Sequence, residues 1–344
     1  MKVCLYSGCL KLVERSGVGH AVLHQKEMLE ENGVEVTFRD APDASVVHIN
    51  TVFPDSLVKA VTARLLGKKV IYYGHSTMED FKYSFRGSNA LAPLFRRWIK
   101  LCYGSGDVIV TPTEYSRRLL LSYSIRKPVF ALSNGIDADA FQYSEERRIR
   151  FREKYGIGEK EKAVLSVGHY IERKGILDFI ALARANPGVH FFWFGYTNLK
   201  LVPRVVRDAI KTAPTNLVFP GYVDSCELRD AYCGCDLFAF MSYEETEGIV
   251  VLEALGCEIP TVVRDIPVYD GWLTQRQNVY KATDNAEFQA AMDGVLSGDW
   301  PDLRKAGRQV AEQRDVRQIG GQLLAVYEQI KATRPALVSA TREL

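Results

Sequence analysis

Residues 235–256 read CDLFAFMSYEETEGIVVLEALG. The run CDLFAF has the continuous apolar character of a buried strand, and VVLEALG has the spacing of a helix facing inward. Gly248 therefore falls at a strand-to-helix corner, with Glu245 ahead of it and Glu253 beyond it. In an α/β protein such a corner, at the carboxyl end of a strand, is where ligands bind. Glycine admits close approach to the backbone, and the free N–H groups of a helix start attract anionic or sugar oxygens. Two acids flanking those amides suit a ligand carrying both hydroxyls and phosphate. The bland alternative is an exposed Glu245 with Glu253 paired elsewhere. The adjoining Glu244 and Glu247 crowd the segment with carboxylates, which either raises a pKa or drives the side chains toward water.

Working outward, short β-branched or apolar runs recur on both sides of this stretch. KVCLYS, VEVTFRD, SVVHIN, KKVIYYG, DVIVTP and PVFALS precede SNGIDADAF, and AVLSVG, VHFFWFG, NLVFPG, DLFAFM and PTVVR follow the charged segment SEERRIRFREKYGIGEKEK. Helical periodicity fills the gaps, as in GHAVLHQKEMLEENG, where Val22, Leu23, Met28 and Leu29 form the apolar face and Gly33 supplies a stop. The fold class is α/β, with two such domains facing a central cleft. Their expected limits are 1–137 and 138–315, followed by a terminal helix and tail, 316–344, that can pack on either domain.

The chain has 344 residues, 47% hydrophobic and 25% charged, enough for two cores. Its net charge of +2 is unevenly spread: residues 1–137 hold 18 Lys or Arg against 13 Asp or Glu, and the remainder 26 against 29. An anionic surface is thus expected to meet the first half. Seven cysteines show no paired zinc-ligand spacing and read as free thiols, mostly buried. No stretch approaches the roughly 18 apolar residues needed to span a bilayer, and MKVCLYSGCL reads as a first strand rather than a leader. The cations form no long groove interleaved with aromatics, so no nucleic-acid partner is expected.

Three further loops carry candidate chemistry. SGVG, Ser16 to Gly19, is either a ligand loop or a structural turn, and it lacks the third glycine of a dinucleotide fingerprint. His75, just past KKVIYYG, is either a loop cap or a site imidazole that donates one hydrogen bond and accepts another. SVGHYIERKGI places Arg173 and Lys174 at a corner suited to phosphate, or to water. No metal site is indicated.

Taken in order, these motifs resemble the retaining GT-B glycosyltransferases of family 4. Glu245, Gly248 and Glu253 match the family's E-x7-E element, Lys174-Gly175 its phosphate-side pair, and Asn134-Gly135-Ile136-Asp137 its domain junction. The resemblance implies that the second domain grips a nucleotide sugar and the first presents an acceptor. Glu253 is then expected on the ribose, Glu245 on the transferred sugar, and the amides of Gly248, Ile249 and Val250 on sugar or diphosphate. His75 approaches the reacting carbon, Gly17 and Gly19 line the cleft, and Gly221 and Tyr222 complete the donor-binding set. Two departures stand out. His169 occupies the place of a family arginine, so Arg173 is expected to assist, and Thr246-Glu247 replaces a common Gly-Phe. The implied chemistry is transfer of a hexose from UDP-glucose or UDP-galactose with retention, with His75, Glu245 and Lys174 as the catalytic set and no tightly bound cofactor.

The acceptor is read from residues 81–103, FKYSFRGSNALAPLFRRWIKLCY, which hold five Lys or Arg and no acid. Leu91, Leu94, Phe95, Trp98, Leu101 and Cys102 make an apolar stripe flanked by Arg96, Arg97 and Lys100, suited to an anionic membrane surface or to a core helix with snorkelling ends. GHSTMEDF, GSNALAPLF and VTPTEYS resemble the Gram-positive subgroup that adds a second hexose to monoglucosyldiacylglycerol. The resulting expectation is a cytoplasmic enzyme held peripherally on the inner face of the membrane, acting on a glycosyldiacylglycerol. A soluble-acceptor transferase and a noncatalytic nucleotide-sugar sensor are the alternatives.

Overall fold

The computed structural model describes residues 1–8, 17–85 and 87–332. The first sheet comprises β1 (Lys2–Tyr6), β2 (Glu35–Thr37), β3 (Val46–Ile49), β4 (Lys69–Tyr73), β5 (Val108–Thr111) and β6 (Val129–Ala131), in the order β2-β1-β3-β4-β5-β6. The second comprises β7 (Ala163–Val167), β8 (His190–Phe194), β9 (Leu217–Gly221), β10 (Leu237–Phe240), β11 (Thr261–Arg264) and β12 (Tyr280–Ala282), ordered β12-β11-β10-β7-β8-β9. Every pairing is parallel. Helices on both faces bury strands such as VVHI, LFAF and TVVR completely, which explains their continuous apolar sequence. β12 escaped the sequence reading because it is only three residues long and centred on Lys281.

Strand order places the crevices. In the second sheet the chain reverses direction between the neighbours β7 and β10, and in the first between β1 and β3. Loops that leave such a pair diverge to opposite faces and open a binding crevice at their carboxyl ends. Segments 168–175 and 241–248 follow β7 and β10, so the two motifs chosen from sequence are spatial neighbours.

Gly17 and Gly19 lie within the helix Gly17–Glu31 rather than ahead of it. Ser16 lies outside the described residues. Val22, Met28 and Leu29 are buried, whereas Leu23 points to solvent, because the helix packs through a narrower face than its sequence offers. Of six described cysteines, all free, Cys226 alone is exposed. The terminal helix Val316–Ala332 crosses back onto the first sheet. Leu323, Val326, Tyr327 and Ile330 pack with Val3, Leu5, Ile71 and Tyr73, and the Tyr327 hydroxyl meets His48 Nδ1 at 2.5 Å. The expected tail, 333–344, lies outside the described residues.

The stripe on the helix Ser88–Gly104 divides in two. Cys102 is fully buried, Phe95 stacks on Phe81 at 4.0 Å, and Trp98 Nε1 donates to Val52 O at 2.6 Å. Leu91, Leu94 and Leu101 remain 49%, 64% and 56% exposed. The division is partly angular: residues 95, 98, 99 and 102 share the seam, Leu94 and Leu101 lie to one side of it, and Leu91 shares the stripe of the seam but stands one turn ahead of Phe95, toward the start of the helix. Arg96 is folded back, giving a hydrogen bond to Ser122 O at 3.1 Å and covering the Tyr123 ring. Arg97 and Lys100 are exposed. Among the described residues no helix is long and apolar enough to cross a membrane.

Candidate active site

The segments after β7 and β10 are pressed together at Gly175, which has φ 77° and whose added Cβ would collide with the carbonyl oxygen of Met241. Only glycine meets both demands. The close approach carries Lys174 onto the β10 loop, where its Nζ lies 2.5 Å from Glu245 Oε1. The same oxygen accepts from Ser242 Oγ at 2.7 Å. Burial opposes ionisation of Glu245, but the Lys174 ammonium and the Arg173 guanidinium outweigh it and hold the carboxyl below its ordinary range.

Arg173 is not the open phosphate-facing cation suggested by its sequence. It is buried, pairs with Asp80 of the first lobe at 2.9 Å, and donates to Glu244 O at 2.5 Å. The crowded carboxylates separate into protein rather than water. Glu247 is buried and accepts from Asn134 N and Nδ2 at 2.9 and 2.7 Å. Glu244 accepts from Tyr115 OH at 2.9 and 3.0 Å, and burial pushes its carboxyl up to about 7. His169 Nδ1 donates to Tyr196 O at 3.0 Å, and burial keeps the ring neutral, so it offers the crevice an acceptor at Nε2 instead of a charge.

Gly248 adopts φ 88° and caps the helix Ile249–Gly256 without a side-chain hydrogen bond; Val251 N turns back to Gly248 O at 2.8 Å, and the Ile249 and Val250 amides are left to the cavity that these residues line. One turn on, Glu253 is buried, accepts from Tyr232 OH at 2.9 Å, and lies 3.8 Å from His20 Nδ1. From the first lobe, His75 stacks on Tyr73 at 4.5 Å, donates from Nε2 to Asn50 Oδ1 at 3.2 Å, and is pushed down by burial to about 3. Its imidazole is therefore neutral across the working pH range.

These groups surround one cavity of about 300 Å³ between the lobes. It gathers Gly17, His75, His169, Arg173, Lys174, Tyr222, Glu245, Gly248, Ile249, Val250 and Glu253, all singled out in the sequence. Gly19 and Gly221 do not line it: Gly19 is turned into the helix packing, and the Gly221 carbonyl is engaged by Gly195 N at 2.8 Å. The lining residues missed include His20, Asp80 and Asn134. His20 directly follows the glycine pair, and Asp80 lies five residues past His75 in HSTMED, so both were within reach of a motif-centred search. Asn134, noted only as a junction residue, brings an amide oxygen that has no hydrogen-bond partner among the described residues. Val167, Phe194, Val223 and Leu228, which belong to or pack against one apolar cluster of the second lobe, give the cavity an apolar wall. Among the described residues there is no cluster of three or more His, Cys, Asp or Glu able to hold a metal ion.

Residues 147–314 match the family described as glycosyl transferases group 1, and residues 36–140 match glycosyltransferase family 4. Across 96% of its length the chain is 40% identical to the processive diacylglycerol alpha-glucosyltransferase of Acholeplasma laidlawii, covering 98% of that protein. It is 27% identical over 71% of its length to the alpha-galactosylglucosyldiacylglycerol synthase of Streptococcus pneumoniae, covering 66% of that protein. Among solved structures, sucrose-phosphate synthase from Thermosynechococcus elongatus aligns with a TM-score of 0.82 at 16% identity, covering 96% of this chain and 99% of that one. HepE of Anabaena in complex with UDP-glucose aligns with a TM-score of 0.76 at 16% identity, covering 96% and 100%. At that identity the two structures speak for the fold alone.

Proposed function

Because the chain belongs to the family 4 glycosyltransferases of GT-B fold, we propose that it moves glucose from UDP-glucose, with retention, onto a diacylglycerol-linked acceptor at a membrane surface. The observation that carries this reading is the inter-lobe cavity in which Lys174, Glu245, Glu253, His75 and the amides after Gly248 converge. Its apolar wall suits a nucleobase, and the buried carboxylate of Glu253 suits ribose hydroxyls, which it can accept without further desolvation. Lys174 and the helix amides face the diphosphate, so that charge developing on the leaving UDP meets dipoles and a cation already in place. Glu245, held ionised by Lys174, takes hydroxyls of the transferred sugar and offsets positive charge near its anomeric carbon. His75 is neutral and orients the sugar.

In the transfer the bond from the anomeric carbon to the β-phosphate oxygen breaks, and a bond to the acceptor oxygen forms on the same face. The acceptor proton passes to the departing phosphate oxygen, so no side chain has to serve as base. Glucose and a diacylglycerol-linked acceptor are favoured by the 40% relative, whose named activity is processive glucosylation of diacylglycerol. An acceptor that already bears one glucose, monoglucosyldiacylglycerol, is included in the proposal. The exposed Leu91, Leu94 and Leu101 beside Arg97 and Lys100 support contact with an anionic lipid surface, leucines entering the interface and cations resting on headgroups.

The test is to incubate purified protein with UDP-glucose or UDP-galactose and vesicles containing diacylglycerol or monoglucosyldiacylglycerol, with soluble alkyl alcohols in parallel. Mass spectrometry and the NMR anomeric coupling identify the product. An α-linked glucolipid is expected. Efficient transfer to soluble acceptors with none to lipid, or a β-linkage, would refute the reading.

A further inference from the structure

A second cavity, of about 490 Å³, lies beside the first and shares Arg173 with it. The two are divided by consecutive residues that face opposite ways. Asp80 and Glu245 line the donor cavity, while their neighbours Glu79 and Glu244 line the second. Tyr83 and Tyr243 stand half-exposed at its walls, and Lys82 and Glu172 line it with side chains that engage no other described residue. The first-lobe wall, Glu79 to Tyr83, is joined to the helix Ser88–Gly104, which carries the exposed leucines, by the stack of Phe81 on Phe95.

Resting on the glycosyltransferase reading, we propose that this second cavity binds the neutral sugar headgroup of a glycolipid acceptor. The volume is in the ~300–1,000 Å³ range of small-molecule sites. Tyrosine rings offer flat apolar faces for the C–H side of a pyranose, and ionised carboxylates accept its hydroxyls. Charge decides between headgroups. Among the described lining residues Glu79 and Glu172 outnumber Lys82, while Asp178 is paired with Arg264 and Arg173 with Asp80, so a phosphate would be repelled where an uncharged sugar is not. Position decides the rest: a headgroup here points its free hydroxyls past Arg173 toward the transferred sugar, while its acyl chains follow Leu91 and Leu94. Plain diacylglycerol has nothing with which to fill the space, so the cavity favours acceptors that already carry a sugar.

Two substitutions test this, Tyr83→Ala, which removes a ring face, and Glu172→Gln, which removes an ionised acceptor but keeps the shape. Each is expected to raise KM for monoglucosyldiacylglycerol about tenfold, while KM for UDP-glucose and the rate on diacylglycerol change less than about twofold. Saturation-transfer NMR with octyl α-glucoside below its micelle concentration gives a readout independent of turnover. Pyranose protons should be saturated by the wild type and lose most of that signal in both variants. Equal effects on the two lipid acceptors, no octyl glucoside signal in the wild type, or preferential binding of glycerol 3-phosphate would overturn the proposal. Absence of any transfer from UDP-glucose, with the octyl glucoside signal intact, would instead remove the donor reading and leave a sugar site standing.

Discussion

Lys174 and Glu245 form the contact on which the donor cavity turns, and both were visible in the sequence as halves of two motifs 71 residues apart. Their partnership was not visible, because it depends on Gly175 letting the β7 and β10 loops touch. The same holds for Arg173, whose neighbour Asp80 comes from the other lobe. Sequence spacing carries local geometry well and cross-lobe pairing hardly at all. The buried pair also yields a separable prediction. Lys174→Met leaves the Glu245 carboxylate buried with Arg173 3.8 Å away as its remaining cation, at a cost of about 3–5 kcal/mol. Combining it with Glu245→Gln, which needs no counter-charge, should restore much of that stability. Activity should stay down by a factor of about 10²–10³, as expected when preorganised charge stabilisation is lost. Urea unfolding alongside initial rates checks both halves, and a stable double variant that regains turnover would show that the pair is merely structural.

At the level of elements, the strands other than β12 followed from apolar runs, since parallel strands covered on both faces have no polar side to disguise them, whereas their order within each sheet did not. Faces of helices were harder. The stripe on Ser88–Gly104 looked continuous because Leu91, Leu94 and Leu101 adjoin the seam of Phe95, Trp98 and Cys102, and a period of 3.6 cannot say where packing stops. The helix Pro54–Leu65, linked to it by Arg64 Nη1 to Ser105 O at 3.3 Å, likewise leaves Val58, Val61 and Leu65 exposed. The two populations of side chain should respond differently. Leu94→Glu with Arg97→Glu and Lys100→Glu is expected to reduce association with anionic vesicles about tenfold or more, leaving the urea midpoint nearly unchanged. Trp98→Ala should lower the midpoint, costing somewhat less than the ~3–5 kcal/mol of a fully buried aromatic. Flotation of the charge-reversed variant with vesicles as efficiently as wild type would remove this surface from consideration.

For the whole molecule, the chain passes between lobes twice along one seam. The outgoing segment at Ile136 is bonded to the returning one, Ile136 N to Arg314 O and Val316 N to Ile136 O, each at 3.0 Å. Across the cleft itself, Tyr115 with Glu244, Asn134 with Glu247 and Asp80 with Arg173 hold the lobes face to face. The periodicity of residues 316–332 suited either lobe, so its destination was not legible; what decides it is steric fit. Gly320 lies against the helix Gly17–Glu31 so closely that an added Cβ would collide with Asn32 Nδ2 and sit 2.5 Å from Met28 O. Gly321, one position on, has Asn32 Oδ1 at 3.8 Å as its nearest neighbour. Alanine at Gly320 is therefore expected to cost about 1–3 kcal/mol through overpacking and to loosen Leu323 and Tyr327 from the first sheet. Alanine at Gly321 removes a helix-interior glycine without a clash and should be neutral or stabilising by up to ~1 kcal/mol. Paired urea titrations measure the contrast, and hydrogen exchange in β1 and β3 reports whether the loss falls on the lobe that the helix covers. Equal effects of the two substitutions would mean that the crossing helix is seated by its apolar face alone and that the close approach at Gly320 is incidental.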